Sequence, residues 1–375
     1  MEQEKLHSIA LTCMTNFSLS TLRQLHERLG SATAIVEHRN NIGDVMPDMH
    51  PRLVEALKDM DEPMKRAEKE LEFAQRYNIL PLCLNDDRYP QRMKQCPDAP
   101  LVLFYRGSAD LNAHHVINII GTRHCTPYGQ ELIHRFCIDL RQLCPDVLIV
   151  SGLAYGIDIC AHRNALANGF DTVGVLAHGL DDLYPARHKE TARRMVTQGG
   201  LLTEYTTQTQ PLPQNFIQRN RIVAGMSDAC ILVESAKKGG GLITAGIARS
   251  YNRDVFAFPG PVGAAASEVC NNLIRDNGAA LITSARDLVL AMGWQAEAQV
   301  RQAKAQGIER DMFPQLTDEE RCIVDVLQQN NDLQMNILVV KTGIPVASLT
   351  AILFEMEMKG IVKTMAGGVY HLLTI

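Results

Sequence analysis

The sequence lacks several features that would assign it at once to a large class of proteins. Its 375 residues contain no uninterrupted apolar run of about 18 residues, and the N-terminus MEQEKLHSIALTCMTNF lacks the order of charged, apolar and small residues of a signal peptide. The ten cysteines include neither a CxxC metal knuckle nor a compact disulfide framework. We therefore expect a cytoplasmic protein with reduced thiols, no membrane partner and no bound metal.

Basic residues are not in excess either. Lys and Arg number 37 against 42 Asp and Glu, and the formal net charge of −5 argues against a protein that binds polyanions over its whole surface. Any nucleic-acid contact must therefore come from a local basic surface. The 46% hydrophobic and 21% charged content is that of a globular chain long enough for two or three domains.

Common catalytic motifs are also missing. The chain has no GxxxxGK[ST] phosphate loop, HExxH zinc motif, GxSxG elbow or paired CxxC. Asp158 and His162 could be imagined as an acid and a base, but a carboxylate in the first turn of a helix and a histidine on a helix face are the simpler interpretation. We therefore predict that the protein acts by binding, is not an enzyme, and needs no cofactor.

The apolar pattern divides the chain into domains. Residues 1–78 show helical periodicity and form a small helical domain. Residues 79–292 alternate short apolar runs with helical stretches, which predicts an α/β domain with a mainly parallel sheet covered on both faces. Residues 293–315 form a polar linker rich in Gln and Ala. The predicted strands are LVLFY, VINII, DVLIV, TVGVLA, GLLTE, ACILVE, DVFAF and AALIT.

The last segment, residues 316–375, has the pattern of a winged-helix-like domain. Three helical stretches, DEERCIVDVLQQ, MNILVVKT and VASLTAILFEMEMKG, precede two short extended runs around Ala366, Gly367 and Gly368. The third helix would read DNA in such a fold, yet it offers Glu355 and Glu357 against Lys359, which is a poor surface for phosphates. Protein contacts are therefore favoured for this domain.

The ends of the predicted strands carry the candidate binding residues, since ligands of open parallel sheets bind there. VINII is followed by Gly121, Thr122 and Arg123, a turn with one glycine and a fixed cation. The guanidinium suits phosphate oxygens in a bidentate contact, and the alternative is a structural ion pair with a carboxylate.

Two glycine-rich turns stand at other strand ends. In SGLAYGID, Ser151 and Gly152 open a turn whose backbone amides could hold a phosphate, or whose glycines could serve only to make the turn tight. Gly240 and Gly241 open a predicted helix whose free N–H groups need an acceptor, and Thr244 could add a hydroxyl.

Basic residues are concentrated in two further stretches. YPARHKETARR, residues 184–194, has four basic residues against one acidic residue, and FIQRNRIVAG, residues 216–225, places Arg219, Asn220 and Arg221 at a predicted helix start. Charge runs are usually solvated faces, but basic side chains beside several phosphate-suited turns would form a track for a polynucleotide backbone. Tyr155 and Tyr184 are the nearest aromatic candidates for stacking on bases.

Several of these segments, in the same order, resemble those of the DprA/Smf family of DNA-processing proteins. The resemblance covers roughly residues 80–290. The segments are IIGTRHCTPYG, VSGLAYGIDICAHRNAL, TVGVLAHGLDDLYPARHKE, GGLLTEY, RNRIVAGMSDACILVESAKKGGGLITAGIA, RDVFAFPGPV and NNLIRDNGAALIT.

The resemblance implies an extended Rossmann-like domain, a homodimer, and binding of single-stranded DNA without strong sequence preference. It also implies that the protein loads a RecA-type recombinase onto incoming single strands during natural transformation. Residues 121–123 match the family's Gly-x-Arg DNA-contacting turn, and the basic residues after Tyr184 and Pro185 match a second cationic contact. The candidate DNA-binding residues are Gly121, Thr122, Arg123, Ser151, Gly152, Arg187, Lys189, Arg219, Asn220, Arg221, Gly240, Gly241 and Thr244.

The chain departs from the family pattern in three places. NFSLS stands where relatives often have a helix-hairpin-helix Gly-x-Gly turn, so the N-terminal domain is a SAM-like, degenerate version of that fold. Ile217 and Gln218 replace a proline and a basic residue of relatives. Ala186 stands where some relatives have lysine, so Arg187 or Lys189 would make that contact.

Two other functions remain open at this point. GGGLITAGIA resembles the phosphate loop of nucleotide phosphoribohydrolases, although Ala245 and Gly246 stand where such an enzyme would need a carboxylate. The chain could also be a protein-interaction scaffold whose C-terminal domain recruits a partner.

Overall fold

The computed structural model describes residues 2–14, 17–237, 239–294, 316–359, 361–365 and 368–372. They belong to two compact units, Met1–Trp294 and Gln295–Ile375. The predicted linker lies outside the described residues from position 295 onward, and so do Ala366 and Gly367 of the predicted hairpin tip.

Six helices open the first unit. Local signals set their ends: Ser18 accepts a hydrogen bond from the Thr21 amide at the start of α2, and Gly30 ends that helix with a φ of 84°. The periodic stretch from Pro51 to Tyr77 forms two helices, with the break at Asp59 and Met60. These helices are α1 (Glu2–Cys13), α2 (Leu19–Leu29), α3 (Ala32–Glu37), α4 (Ile42–Val45), α5 (Pro51–Lys58) and α6 (Asp61–Arg76).

A nine-stranded sheet forms the centre of the first unit. Its strand order is β1-β2-β6-β5-β4-β3-β7-β8-β9, and among these strands β2 alone runs opposite to the others. All eight predicted strands are present, so the mainly parallel sheet is confirmed, and β1 is an additional edge strand. The strands are β1 (Leu80–Cys83), β2 (Val102–Gly107), β3 (His115–Ile120), β4 (Val147–Ser151), β5 (Thr172–Val175), β6 (Gly199–Thr203), β7 (Ala229–Leu232), β8 (Asp254–Ala257) and β9 (Ala280–Leu281).

Helices cover both faces of this sheet. Side chains along a strand point alternately to the two faces of the sheet, and in β3 both sets are buried. Val116 and Ile120 belong to one hydrophobic core, and Ile117 and Ile119 belong to another. The first core also contains apolar residues of α1 and α6, so the N-terminal helices are continuous with the sheet. The covering helices are α7 (Gln91–Lys94), α8 (Pro127–Leu143), α9 (Ile157–Ala167), α10 (Lys189–Thr197), α11 (Pro213–Gly225), α12 (Gly240–Ser250), α13 (Glu268–Arg275) and α14 (Ala285–Ala291).

The order of the strands places a crevice beside β3. The chain proceeds from β3 to β4 on one side, and β7 joins on the other side of β3. The connections therefore leave β3 in opposite directions, which opens a space at the carboxyl ends of these three strands.

The second unit contains the predicted three helices and hairpin. A capping box between Thr317 and Glu320 begins its first helix, and a short strand not anticipated from the sequence adds to the hairpin. Its three-stranded sheet has the order β10-β12-β11. The elements are α15 (Asp318–Gln329), β10 (Leu333–Gln334), α16 (Met335–Thr342), α17 (Val346–Met358), β11 (Val362–Met365) and β12 (Val369–Leu372).

Within the described ranges, no individual helix has the length and apolar character needed to cross a membrane. Only α16 and α17 taken as a pair reach that threshold, and they are bent by 109° relative to each other.

Candidate functional site

A cleft of about 600 Å³ lies at the carboxyl ends of β3, β4 and β7. It brings together nine of the thirteen candidate residues from three separate turns and two helices. The four candidates that do not line it are Ser151, Arg187, Lys189 and Arg221. The nine that do are Gly121, Thr122, Arg123, Gly152, Arg219, Asn220, Gly240, Gly241 and Thr244.

The turn after β3 is packed tightly between its neighbours. A Cβ on Gly121 would lie 2.5 Å from the Ile157 side chain and 2.6 Å from the Glu234 carbonyl oxygen, so only glycine fits. The Thr122 amide donates to that same carbonyl at 2.7 Å, and the Thr122 carbonyl accepts from the Ile157 amide at 3.1 Å. These contacts fix the backbone that carries Arg123.

Arg123 projects from this fixed turn into solvent. Its side chain is exposed, and its guanidinium carbon lies 5.3 Å from the centre of the Phe216 ring. No carboxylate of the described residues lies within ion-pair distance of it, so the alternative of a structural ion pair finds no partner here. The cation is therefore available to an anionic ligand.

The turn after β4 has its amides occupied by the protein itself. Asp158, in the first turn of α9, accepts hydrogen bonds from the Gly152 amide at 3.1 Å and the Ala154 amide at 3.4 Å. The Ser151 hydroxyl is fully buried and donates to the Ile119 carbonyl at 2.6 Å. The Asp158 carboxylate thus occupies the amides that a phosphate would need, which favours the alternative that the glycines of this turn serve to make it tight.

Arg219 lies behind this turn and supports it. Arg219 is 3% exposed, and its guanidinium donates to the carbonyl oxygens of Gly152, at 2.6 Å, and Val175. Burial lowers the pKa of Arg219 to about 10, and burial raises the pKa of the neighbouring Asp158. A Cβ on Gly152 would lie 2.6 Å from both side chains. Arg219 therefore holds the turn in place more than it offers a charge to solvent.

The predicted helix start at residues 219–221 is wrong. α11 begins at Pro213, and Pro at the first position of a helix is the signal that marks this start. Asn220 is half-buried and lines the cleft. Arg221 lies elsewhere: it is 6% exposed, donates to the Asp98 carbonyl at 2.5 Å and pairs with Glu204. Its positive charge is therefore paired with Glu204 inside the protein and is not available to DNA.

The third turn opens α12 at the floor of the cleft. No side chain caps this helix, so the first amides of α12, including those of Gly240 and Gly241, have no side-chain acceptor among the described residues. A Cβ on Gly241 would lie 2.7 Å from Leu232 and 3.3 Å from the Gly121 Cα, so glycine lets the two turns approach. The Thr244 hydroxyl is buried and donates to the Gly240 carbonyl at 3.2 Å.

The basic stretch after Tyr184 lies outside the cleft. Arg187 and Lys189 are exposed, and neither pairs with a carboxylate in the described part of the chain. The buried His188 between them anchors the segment, because its Nδ1 lies 2.8 Å from the Leu153 carbonyl oxygen. The segment therefore stays close to the turn after β4.

Phe216 is the residue that the sequence analysis missed. Its ring centre lies 5.3 Å from the guanidinium carbon of Arg123, 5.8 Å from that of Arg219 and 5.7 Å from the ring centre of Tyr184. The sequence signal that could have identified Phe216 is helical spacing. One face of α11 carries the cleft residues Phe216, Arg219, Asn220 and Val223, which are spaced i, i+3, i+4 and i+7. Of the two tyrosines singled out, Tyr184 lines the cleft and Tyr155 packs on His188.

No group of three or more His, Cys, Asp or Glu side chains within the described ranges is arranged to hold a metal ion. Among its described lining residues, the cleft instead offers the free guanidinium of Arg123, the aromatic rings of Phe216 and Tyr184, and the start of α12. This set of groups suits an anionic ligand that also carries a flat ring.

Comparison with known proteins identifies relatives of both units. Residues 81–293 match the family described as DNA recombination-mediator protein A, and residues 313–368 match the DprA winged helix domain. DNA processing protein DprA of Streptococcus pneumoniae is 38% identical over 54% of this chain and 71% of its own length. Protein Smf of Escherichia coli is 31% identical over 85% of this chain and 84% of its own length.

Solved structures agree with these matches. The X-ray structure of DNA processing protein A from Streptococcus pneumoniae superposes with a TM-score of 0.65 at 32% identity, over 78% of this chain and 98% of that chain. The structure of the same-named protein from Helicobacter pylori gives a TM-score of 0.52 at 26% identity, over 58% of this chain and 96% of that chain. The Rossmann-like fold with a C-terminal winged-helix domain is confirmed, and the chain belongs to the DprA/Smf family of DNA-processing proteins.

Proposed function

We propose that this protein binds single-stranded DNA in the cleft at the carboxyl ends of β3, β4 and β7. The observation that carries the proposal is Arg123: an exposed cation with no acidic partner among the described residues, held on a rigid turn beside the Phe216 ring. The guanidinium suits a phosphate, and the ring suits a base.

The other groups of the cleft fit the same ligand. The uncapped start of α12 supplies backbone N–H groups and the positive end of a helix dipole, both of which favour phosphate. Arg187 and Lys189 extend the cationic surface past the cleft, as a polymer would require. These groups recognise what all nucleotides share, so we expect binding without strong sequence preference.

A relative supports this ligand. The Helicobacter pylori protein was solved for its single-stranded DNA binding mode, and it shares 26% of its sequence with this chain over the matched region. The proposal transfers that ligand to this chain through the cleft residues described above.

We propose binding and not catalysis as the activity of the cleft. Asp158, the one carboxylate among the described lining residues, accepts hydrogen bonds from two backbone amides and lies beside Arg219. Hydrolysis of nucleotides would need a carboxylate free to act on the sugar. Incubation with nucleoside monophosphates followed by an assay for released base tests this point, since turnover would support the phosphoribohydrolase alternative.

We further propose that the protein works as a homodimer that loads a RecA-type recombinase onto single strands during DNA uptake. Support comes from membership of a family described as recombination mediators. Stimulation of recombinase-driven strand exchange on strands coated with a single-strand-binding protein would test this role, and unchanged exchange would refute it.

The cleft itself is tested by removing its free cation. Arg123→Ala should weaken binding of a labelled single-stranded oligonucleotide by roughly ten- to hundredfold, because a charge-assisted contact contributes about 1.5–3 kcal/mol. Arg76→Ala is the matched control, since Arg76 is an exposed arginine that does not line the cleft. Equal affinities of the two variants, measured by fluorescence anisotropy, would refute the proposed site.

A further inference from the structure

Two cysteines lie together where the turn after β3 meets α9. Cys125 belongs to this turn, and Cys160 lies near the start of α9. The two backbone segments are in direct contact, since the Ile157 amide donates to the Thr122 carbonyl at 3.1 Å. Both cysteine side chains are half-buried and pack against the same hydrophobic core. The fold therefore brings together two thiols that are distant in sequence.

The two thiols contact each other and differ in character. Cys125 donates a hydrogen bond to the Cys160 sulfur, and the Asn164 side-chain amide donates to the same sulfur at 3.5 Å. The bond from Cys125 is the main cause that lowers the pKa of the Cys160 thiol, while burial opposes it. The same bond, together with burial, raises the pKa of Cys125. Cys160 is therefore the cysteine that more readily becomes a thiolate, which is the reactive form.

The neighbouring side chains hold both sulfurs in position. Asn164 is itself anchored to α8, because its Oδ1 lies 3.1 Å from Nδ1 of His134. A Cβ on Gly129 would lie 3.2 Å from the Cys125 Sγ, so the first turn of α8 lies directly against this sulfur. The pair thus occupies the junction of the turn, α8 and α9. Because the two thiols already contact each other, a bond between them needs no large movement of the backbone.

We propose that Cys125 and Cys160 are a redox pair, which a hydroperoxide such as hydrogen peroxide oxidises to a reversible intramolecular disulfide. Cys160 is the attacking cysteine, and Cys125 is the resolving cysteine. The bond would tie the turn that carries Arg123 to α9. Its formation does not depend on the proposed function.

The oxidation takes two steps. The Cys160 thiolate attacks one oxygen of hydrogen peroxide, the O–O bond breaks, and the products are a sulfenic acid on Cys160 and a hydroxide that takes up a proton. The Cys125 sulfur gives up its proton and attacks the Sγ of Cys160, the S–O bond breaks, and the departing hydroxide leaves as water with that proton. The two thiols lose two electrons in total, and one hydrogen peroxide is reduced to two waters.

Two other cysteines serve as internal comparisons. Cys13 is half-buried like the pair, but burial raises the pKa of its thiol to about 11. Cys137 on α8 is fully buried, and burial together with the nearby Cys160 raises its pKa to about 12. Both thiols should therefore react with hydrogen peroxide more slowly than Cys160 at neutral pH.

Mass spectrometry of the full chain after limited oxidation tests the proposal. The reduced protein is treated with hydrogen peroxide, the remaining thiols are blocked, and disulfide-linked peptides are sequenced by fragmentation. The link between Cys125 and Cys160 should be the main intramolecular product, and dithiothreitol should remove it. A main link that joins Cys160 to Cys137, or loss of the other free thiols before Cys125 and Cys160 are joined, would overturn the proposal.

Replacement of the resolving cysteine tests the two roles. In Cys125→Ala the sulfenic acid of Cys160 has no resolving partner, so its adduct with dimedone should increase roughly fivefold over the wild type. The same variant removes a hydrogen-bond donor, so iodoacetamide should alkylate Cys160 roughly threefold more slowly at neutral pH. Cys13→Ala is the matched control, because it removes another half-buried cysteine. Dimedone trapping and alkylation that Cys125→Ala leaves unchanged would overturn the pairing of Cys125 with Cys160.

Discussion

At the scale of single residues, Phe216 is the side chain that contacts both arginines of the cleft. Its half-buried ring contacts the guanidinium groups of Arg123 and Arg219. One face of α11 therefore supplies both the aromatic ring and the buried Arg219, which holds the turn after β4 in place. Arg123 follows a strand end and Arg219 lies within α11; among the described residues Arg123 has no acidic partner, whereas the guanidinium of Arg219 donates to two backbone carbonyls. Sequence alone could not separate these roles, because they depend on which direction each side chain takes from its element.

Phe216→Ala should weaken single-stranded DNA binding by about 1–3 kcal/mol, the range for one base stacked on an aromatic ring. Phe216→Tyr keeps the ring and should bind close to the wild-type affinity. Anisotropy titration of the three proteins measures the effect. Equal loss in both variants would mean that stacking on this ring does not contribute.

The buried His162 leads to a prediction of how the free energy of unfolding depends on pH. It is fully buried, and its Nδ1 lies 2.7 Å from the Thr172 hydroxyl. Burial, together with the positive charges of His188 and Arg219, lowers the pKa of His162 from 6.5 to about 3. Between these values the unfolded chain binds a proton that the folded chain does not. The free energy of unfolding should therefore fall by about 2 kcal/mol from pH 7 to pH 5 through this residue.

Urea denaturation at pH 7, 6 and 5 tests this prediction. His162→Gln should show a smaller loss of stability on acidification than the wild type, while His38→Gln, at an exposed position, controls for removal of a histidine. Identical pH dependence of wild type and His162→Gln would contradict the assignment.

At the scale of elements, the turns after β3 and β4 form one packed pair. Gly156 has a φ of 79°, and a Cβ there would lie 2.1 Å from the Thr122 carbonyl oxygen and 2.7 Å from the Arg123 Cα. The glycine of one turn thus sets the position of the cation on the other turn.

Gly156→Ala should therefore lower both stability and DNA affinity, because it displaces the turn that carries Arg123. Gly263→Ala is a matched control: Gly263 has a φ of 86° with no atom within 4 Å of its ideal Cβ, so it carries the backbone strain alone. That strain costs about 1–2 kcal/mol. Thermal unfolding and anisotropy should show a larger loss of stability for Gly156→Ala and a loss of affinity in that variant only. Similar effects of both substitutions would argue against coupling of the two turns.

Most elements of the fold could be predicted from apolar runs, and the exceptions have physical reasons. β1 contains Pro81 and only four residues, and proline is tolerated there because the strand lies at the sheet edge. The sequence predicted that Gly152 stands at a strand end, but not that Asp158 occupies its amide, since that contact depends on how the turn folds back on α9.

At the scale of the whole molecule, the protein carries a net charge of −5 and still presents exposed cations along one edge of its sheet. The sheet order explains this: strands distant in sequence end side by side, so residues 121–123 and 240–241 meet beside β3, and residues 187–189 lie next to the turn after β4. Local charge, and not the total, is what a nucleic-acid backbone would meet. The two units keep separate hydrophobic cores, which allows the C-terminal domain to have contacts of its own.

The salt dependence of single-stranded DNA binding tests the central claim most directly. Wild-type affinity should fall with salt with a log–log slope of about −0.7 for each phosphate that the protein neutralises, and Arg123→Ala should make the slope shallower by about one such increment. Anisotropy titrations at several salt concentrations measure both slopes. A slope that Arg123→Ala leaves unchanged, or affinity that does not respond to salt, would contradict a phosphate contact by Arg123 in the cleft.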